Sequence, residues 1–326
     1  AIGAFRVSRT PTLVLVPPSL APENARRRGT GLAYVISAYA LWGTFPLYFL
    51  LFAPASALEV VGFRIVLSFV FCLLLITVFR RWRAILGLVR QPRVVGAMAL
   101  AGIFIYVNWL VYVFAVLNDQ VVEASLGYFI NPLVTVLLGV FMLRESLRPA
   151  QWVAVGVSAI AVLVIAIGYG TFPVISLVLA ASFGMYGYVK SRVGAQVDAL
   201  SGLTIETTAL APFALAQLFV LGSTAGLAFG QHGVGQAVAM LSAGVVTAVP
   251  LLMFAAGTRR LPLVAVGLAQ YLTPVLQFVI GVAILGEPMP LERWIGFALV
   301  WVALLILSVD MVRAGRASRR ASAPPL

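Results

Sequence analysis

The chain has 326 residues, of which 62% are hydrophobic and 10% charged, with a mean hydropathy of +1.06 and a formal net charge of +12. A soluble domain carries roughly a quarter charged residues, so the composition excludes one and points to a polytopic α-helical membrane protein. The short alternating segments of a β-barrel are not seen.

Residues 1–24 hold Pro11, Pro17, Pro18 and Pro22, and their apolar run Leu13–Val16 is too short to span a bilayer. Residues 1–28 read as a flexible tail or an upstream extension, and no cleavage-site pattern marks a signal peptide. Ten helices are then expected near 29–51, 57–79, 93–117, 121–143, 150–168, 172–189, 201–221, 236–257, 262–285 and 291–311. Each is long enough to cross a hydrocarbon core of roughly 30 Å. Residues 312–326 form a basic tail.

With these boundaries, 18 basic residues fall on one side. They run from Arg26–Arg28 through Arg80, Arg81, Arg83, Arg90, Arg93, Arg144, Arg148, Lys190, Arg192, Arg259 and Arg260 to Arg313, Arg316, Arg319 and Arg320. Arg293 alone stands in the opposite loops. The positive-inside rule puts the basic side and both termini in the cytoplasm. The charge sets topology, so no nucleic-acid partner is required.

The chain also repeats itself. Pro132, Gly139, Glu145 and Trp152 recur 142 positions later as Pro274, Gly281, Glu287 and Trp294, and Val121–Ile165 on Leu263–Leu307 gives ten identities without a gap. Five helices per half is an odd number, so the halves 29–168 and 171–311 form an inverted repeat. Such halves can exchange conformations about a central site. Duplication without moving parts is the plainer alternative.

The fourth and ninth helices carry Asn131-Pro132 and Thr273-Pro274. A proline frees the carbonyl four residues earlier, here those of Tyr128 and Gln270. A freed carbonyl in lipid must face protein or a water-filled cavity. Tyr128, Asn131, Gln270, Tyr271 and Thr273 supply polar groups at that depth, though a kink that only improves packing competes. Pro132 and Pro274 are the candidate hinge and gating positions.

Two ionisable residues lie well inside predicted helices, Arg64 and Glu206, again 142 positions apart. A charge within a span normally faces the bundle interior. Their depths leave on the order of 10 Å between them along the membrane normal, which permits a direct ion pair but does not require one. Arg64 either anchors an anionic substrate group or snorkels outward toward Glu59. Glu206 is either a protonatable coupling switch or a structural hydrogen bond to a neighbouring helix. Asn108, Trp109, Trp42 and Tyr186 suit a pocket for an amphipathic small molecule, while interfacial belts account equally for some aromatics, Tyr48 above all. Glu123 reads as solvated at a helix end. Glu145 and Glu287 read as caps on the helix that follows each.

No HExxH, P-loop or Ser/His/Asp set is present, the single histidine, His232, sits in a loop, and the single cysteine, Cys72, lies in an apolar helix. An enzyme, a metal site and a cofactor are not expected.

The stretch EASLGYFINPLVTVLLGVFMLRESLR (123–148) resembles the RarD branch of the EamA transporters, in the drug/metabolite transporter (DMT) superfamily. AYALWGTFPLYF (38–49), FRIVLSF (63–69), NWLVYVFAV (108–116), TIETTALAPFAL (204–215) and TAVPLLMFAAGTRRLPL (247–263) are similar to it as well, as is the glutamate-then-tryptophan pattern of RESLRPAQW and GEPMPLERW. The resemblance covers about Gly29 to Asp310. It implies a ten-helix inverted-repeat fold, a multi-pass place in the bacterial inner membrane, and carrier-type movement of a small metabolite or drug. It also fits the family's association with chloramphenicol sensitivity by name, and it brings no catalytic set and no defined substrate. Gln270 and Thr273 replace Tyr128 and Asn131 in the second half, so the two sides of a cavity differ chemically. The expected partners are a small-molecule solute, protons as a candidate coupling ion, and the bilayer. A passive channel and a non-transporting membrane partner are the alternatives to a secondary carrier.

Overall fold

Two of the helices open where a short polar side chain takes unpaired N–H groups of the first turn. Ser56 accepts from the Glu59 N–H at 3.2 Å, and Asp198 accepts from the Leu200 and Ser201 N–H groups at 3.2 Å each. These two caps are also 142 positions apart. The computed structural model describes residues 20–143, 147–168, 172–193, 197–261 and 263–321.

The order is α1 (Leu20–Gly43), α2 (Phe45–Leu50), α3 (Ala57–Val78), α4 (Trp82–Val89), α5 (Pro92–Leu117), α6 (Val121–Leu143) and α7 (Pro149–Gly168). It continues with α8 (Val174–Val193), α9 (Ala199–Thr224), α10 (Val234–Leu241), α11 (Ala243–Thr258), α12 (Leu263–Ala269), α13 (Leu272–Val279), a π-helical turn (Ile280–Ile284) and α14 (Leu291–Ala321). Among the described residues, nine segments are long and apolar enough to cross a membrane.

The segment expected at 29–51 is not one of the nine. Its helix starts earlier, at Leu20, and breaks at Thr44, whose hydroxyl donates to the Leu41 carbonyl at 2.9 Å. Pro46 follows in the first turn of α2, where its missing N–H costs nothing. The apolar run is thereby divided between two helices. At the other end, α14 continues past 311 to Ala321, into the segment read as a basic tail.

The two prolines act differently. Pro132 lies inside a continuous α6, whereas the second repeat's helix ends at Ala269 and restarts at Leu272, just before Pro274. Further on, the Leu285 N–H reaches back to the Ile280 carbonyl at 2.9 Å and closes the π turn.

Packing brings together helices distant in sequence: α3 with α9 and α11, α6 with α8 and α13, α5 with α8, α1 with α11 and α13, and α7 with α14. At Gly127 of α6 an added Cβ would lie 2.7 Å from the Ser176 carbonyl oxygen on α8, so only glycine lets these two helices approach so closely. Phe141, Ile167, Phe219 and Leu305 are 65–79% exposed, as expected of side chains that meet lipid.

One end of the bundle gathers basic residues. There Arg81 pairs with Asp198 at 3.5 Å, and Arg148 pairs with Asp310 at 2.5 Å. The other end is closed by aromatic packing of Phe45, Phe49, Phe52 and Tyr112 around Met240.

Candidate functional site

Arg64 lies two turns into α3 and is 4% exposed. Its guanidinium sits 4.0 Å from the Trp109 ring centre, with the Phe49 and Phe45 rings at 5.4 and 5.6 Å. Its Nε donates to Thr247 Oγ1 on α11 at 3.0 Å, and among the described residues it has no carboxylate partner. Arg64 makes no ion pair with Glu59, whose carboxylate is turned to backbone donors instead. That carboxylate accepts from the Phe229 and Ala228 N–H groups at 2.9 and 3.1 Å in the α9–α10 loop. Burying an ion costs several kcal/mol after relaxation, against about 2 kcal/mol for a desolvated cation–π stack. The cage alone therefore leaves the positive charge under-compensated.

Glu206, on α9, is 1% exposed and does not meet Arg64. Its Oε1 lies 2.8 Å from Lys190 Nζ on α8, and its Oε2 accepts from the Tyr186 hydroxyl at 3.3 Å. Lys190 also donates to the Tyr186 hydroxyl at 2.8 Å. The three side chains form one closed triangle between α8 and α9. Lys190 was counted among the basic-end charges, yet its ammonium is turned inward. One legible signal pointed there: it follows Tyr186 by four residues, hence on the same helix face.

Asn108 brings α5, α6 and α8 together. Its amide donates to the Leu179 carbonyl at 3.1 Å and to Ser182 Oγ at 3.2 Å, while Tyr128 donates to its Oδ1 at 3.0 Å. Asn131 Oδ1, by contrast, is buried without a hydrogen-bond partner among the described residues and faces Gly184 of α8. Trp42 packs with Tyr39 and Phe254, and its carbonyl accepts from Gln277 at 3.3 Å. Thr273 donates to the Tyr39 carbonyl at 2.8 Å, so the polar group beside Pro274 is spent on α1. Gln270 and Tyr271 occupy the break between α12 and α13, and Tyr271 packs against the cluster that holds Phe129, Phe278 and Phe297.

A cleft of about 410 Å³ opens at the basic end, lined by Phe79, Arg81, Asp198, Leu200, Leu252 and Arg259 among others. Burial pushes the Asp198 carboxyl up, but the hydroxyl and N–H of Ser201, Arg81 and the Leu200 N–H outweigh it and hold it below its ordinary value.

At the opposite end Glu287 does something the sequence did not suggest. Its two oxygens accept from the Val121 and Val122 N–H groups at 2.6 and 2.8 Å, so it caps α6 rather than the helix that follows it. Burial pushes its carboxyl up, opposed by those two N–H groups and by Arg293. Glu145, its counterpart, lies outside the described residues. Glu123 accepts from the Ile175 N–H at 3.2 Å instead of standing free in solvent.

The EamA-like transporter family model matches residues 29–167. Protein RarD of Streptomyces exfoliatus is 48% identical over 91% of this chain and 93% of its own. The chain belongs to the EamA-like transporter family. RarD of Escherichia coli is a further EamA-family relative, 37% identical over 90% of this chain and 98% of its own. The chloramphenicol-sensitive protein RarD of Pseudomonas aeruginosa is 32% identical over 90% and 99%. A crystal structure of another protein, 18% identical, covers 86% of this chain and 97% of its own with a TM-score of 0.53 and shares the fold. Within the DMT superfamily this EamA-type chain is a transporter-like, multi-pass protein of the bacterial plasma membrane.

Proposed function

We propose that the chain is a secondary carrier that moves a small organic solute across the bacterial inner membrane by alternating access. In this reading ten helices span the bilayer as two inverted five-helix repeats, 29–168 and 171–311, with α1 and α2 together as the first span. The basic end and both termini face the cytoplasm, as the positive-inside rule requires. Residues 1–28 and 312–326 flank the repeats. Three structural pairings support the repeat: α3 against α9, α6 against α13 and α7 against α14 each join segments 142 positions apart.

Arg64 is the anchor for an anionic substrate group, and the observation that carries this is its burial against Trp109 with no carboxylate partner among the described residues. Glu206 is the proton-coupling group, because taking up a proton would release Lys190 from a 2.8 Å ion pair. Asn108, Tyr128, Trp109, Trp42, Tyr186, Asn131, Gln270 and Tyr271 shape the surrounding cavity as it opens, with Pro132 and Pro274 as hinges. No chemical conversion of the solute is involved.

Counterflow in proteoliposomes tests this. Liposomes preloaded with amino acids, nucleosides or amphenicol-type drugs should accumulate tracer of one class, with saturation and trans-stimulation. Flux that neither saturates nor shows trans-stimulation would replace the carrier by a channel.

A further inference from the structure

Three helices connect the basic-end cleft to Arg64. On α3 the order from Arg64 is Cys72 and Ile76, with Phe79 capping its end; on α11 it is Thr247, Ala248 and Leu252, with Arg259 capping its end; α9 contributes Leu203 and then Leu200. Phe79, Leu200, Leu252 and Arg259 line the cleft. Leu200 and Leu252 also belong to an apolar cluster with Cys72, Ile76, Leu203 and Ala248, and Trp109 packs against its inner side. Trp109 in turn stacks on Arg64. Cleft, apolar plug, tryptophan and guanidinium are thus one continuous series, about 20 Å long from Arg64 to Phe79 at 1.5 Å per residue.

At the other end, Glu59 and Glu287 each hold two consecutive backbone N–H groups, and the Phe45–Phe49–Phe52 packing lies between Arg64 and that surface. The described conformation is closed there and open at the cleft as far as the plug.

We infer that the seam between α3, α9 and α11 is the gated route between the basic end and Arg64, that Ile76, Leu200 and Leu203 form its gate, and that it admits organic carboxylates carrying an apolar group. The inference rests on the carrier reading above for the role of Arg64. The mouth carries Arg81, Asp198 and Arg259; Arg81 is paired with Asp198, so Arg259 leaves a net positive lining that concentrates anions. An inorganic anion would gain nothing from the plug or from the rings of Trp109, Phe45 and Phe49, whereas an apolar carboxylate matches the guanidinium and its cage in turn.

Cys72 is the single cysteine, 0% exposed and inside the plug, so its labelling reports the gate without needing transport. The probes are membrane-impermeant methanethiosulfonates of similar size, one anionic and one cationic, applied to each side of membrane vesicles. The sides are identified by an Arg260→Cys reference in a Cys72→Ala background. Leu203→Ala should accelerate anionic labelling of Cys72 at least tenfold, only from the side where the reference labels. Arg259→Gln should remove the preference for the anionic reagent, and benzoate should slow labelling severalfold. Ile76→Val serves as a milder opening variant should Leu203→Ala fail to fold. Acceleration from the opposite side, or in neither folded variant, would overturn the route; a cationic preference, or no protection by benzoate, would overturn the carboxylate assignment. If labelling follows the seam while counterflow is absent for every solute, the carrier reading fails and the route stands. Counterflow with an unchanged Cys72 rate means the reverse.

Discussion

Glu206 on α9 is ion-paired with Lys190 on α8, 2.8 Å from carboxylate oxygen to ammonium nitrogen, at a site where Glu206 is 1% exposed. Removing one member of a buried pair strands the other charge, while removing both removes the problem. Lys190→Met should therefore lower stability by about 3 kcal/mol, and adding Glu206→Met should recover most of it. Thermal unfolding of the two variants in the same detergent checks this, and an additive loss would show that the pair is not coupled.

The same pair sets the expected behaviour of Glu206→Gln. The groups facing Glu206 are Lys190 and Tyr186 of α8 and Cys72 of α3. A glutamine keeps the hydrogen bond to Tyr186 but has no proton to exchange. Solute exchange in counterflow should survive, and uptake driven by a pH gradient should vanish. Equal pH-driven uptake in the variant and the parent would remove Glu206 from coupling.

Arg64 makes a different demand. Arg64→Lys keeps the charge but loses the flat stacking on Trp109 and the Nε bond to Thr247, because an ammonium is a compact point charge and not a planar fork. Losing a desolvated charge contact costs about 3 kcal/mol, or ~100-fold in affinity. Half-saturation for an anionic solute should rise by about that factor in Arg64→Gln and by less in Arg64→Lys, read in counterflow titrations.

These cases mark what the residue pattern could and could not reveal. Apolar run lengths located nine of the ten expected segments as long apolar helices, because lipid demands about twenty apolar residues whatever the neighbours are. Arg64 and Glu206 stood out because a charge inside such a run is costly. Their partners were hidden: Lys190 looks like any other basic residue at a helix end, and its inward turn is a matter of side-chain direction. Thr247 lies 183 positions from Arg64, and the α6 cap from Glu287 spans 165 and 166 positions. Such contacts are set by helix packing, which a linear pattern does not encode. The break at Thr44 was missed because a proline one position into a new helix resembles a tolerated proline inside a continuous one.

At the basic end, Asp198 caps α9 and faces Arg81. Its carboxyl is held below its ordinary value, so the folded state binds this proton less tightly than the unfolded chain. The resulting stability is complete above the ordinary aspartate range and is lost as pH falls through and below it. The stability gap between wild type and Asp198→Asn should be constant near neutrality and close on acidification toward pH ~3. Unfolding temperatures of both proteins along that pH series check it, and a gap that widens in acid would reverse the assignment.

Glu287 caps α6 from the loop before α14, so it fastens the second repeat to the first at the closed end. Both N–H groups belong to a helix's first turn and have no other intrahelical acceptor, and the carboxylate is 6% exposed. Glu287→Ala leaves two donors unsatisfied, a cost of about 2–4 kcal/mol in the conformation described here. Glu287→Gln keeps one acceptor oxygen but sets an amide N–H₂ against the second donor, so it should recover less than half of that. If this end must open during transport, the cap is present in one state only, and its removal shifts the balance toward the other. A cysteine at Phe49 in a Cys72→Ala background, buried at 1% exposure in the parent, should then become reactive to impermeant reagent from the Glu287 side by at least tenfold. Unchanged reactivity together with the expected loss of stability would make Glu287 a static fastener that persists in both states.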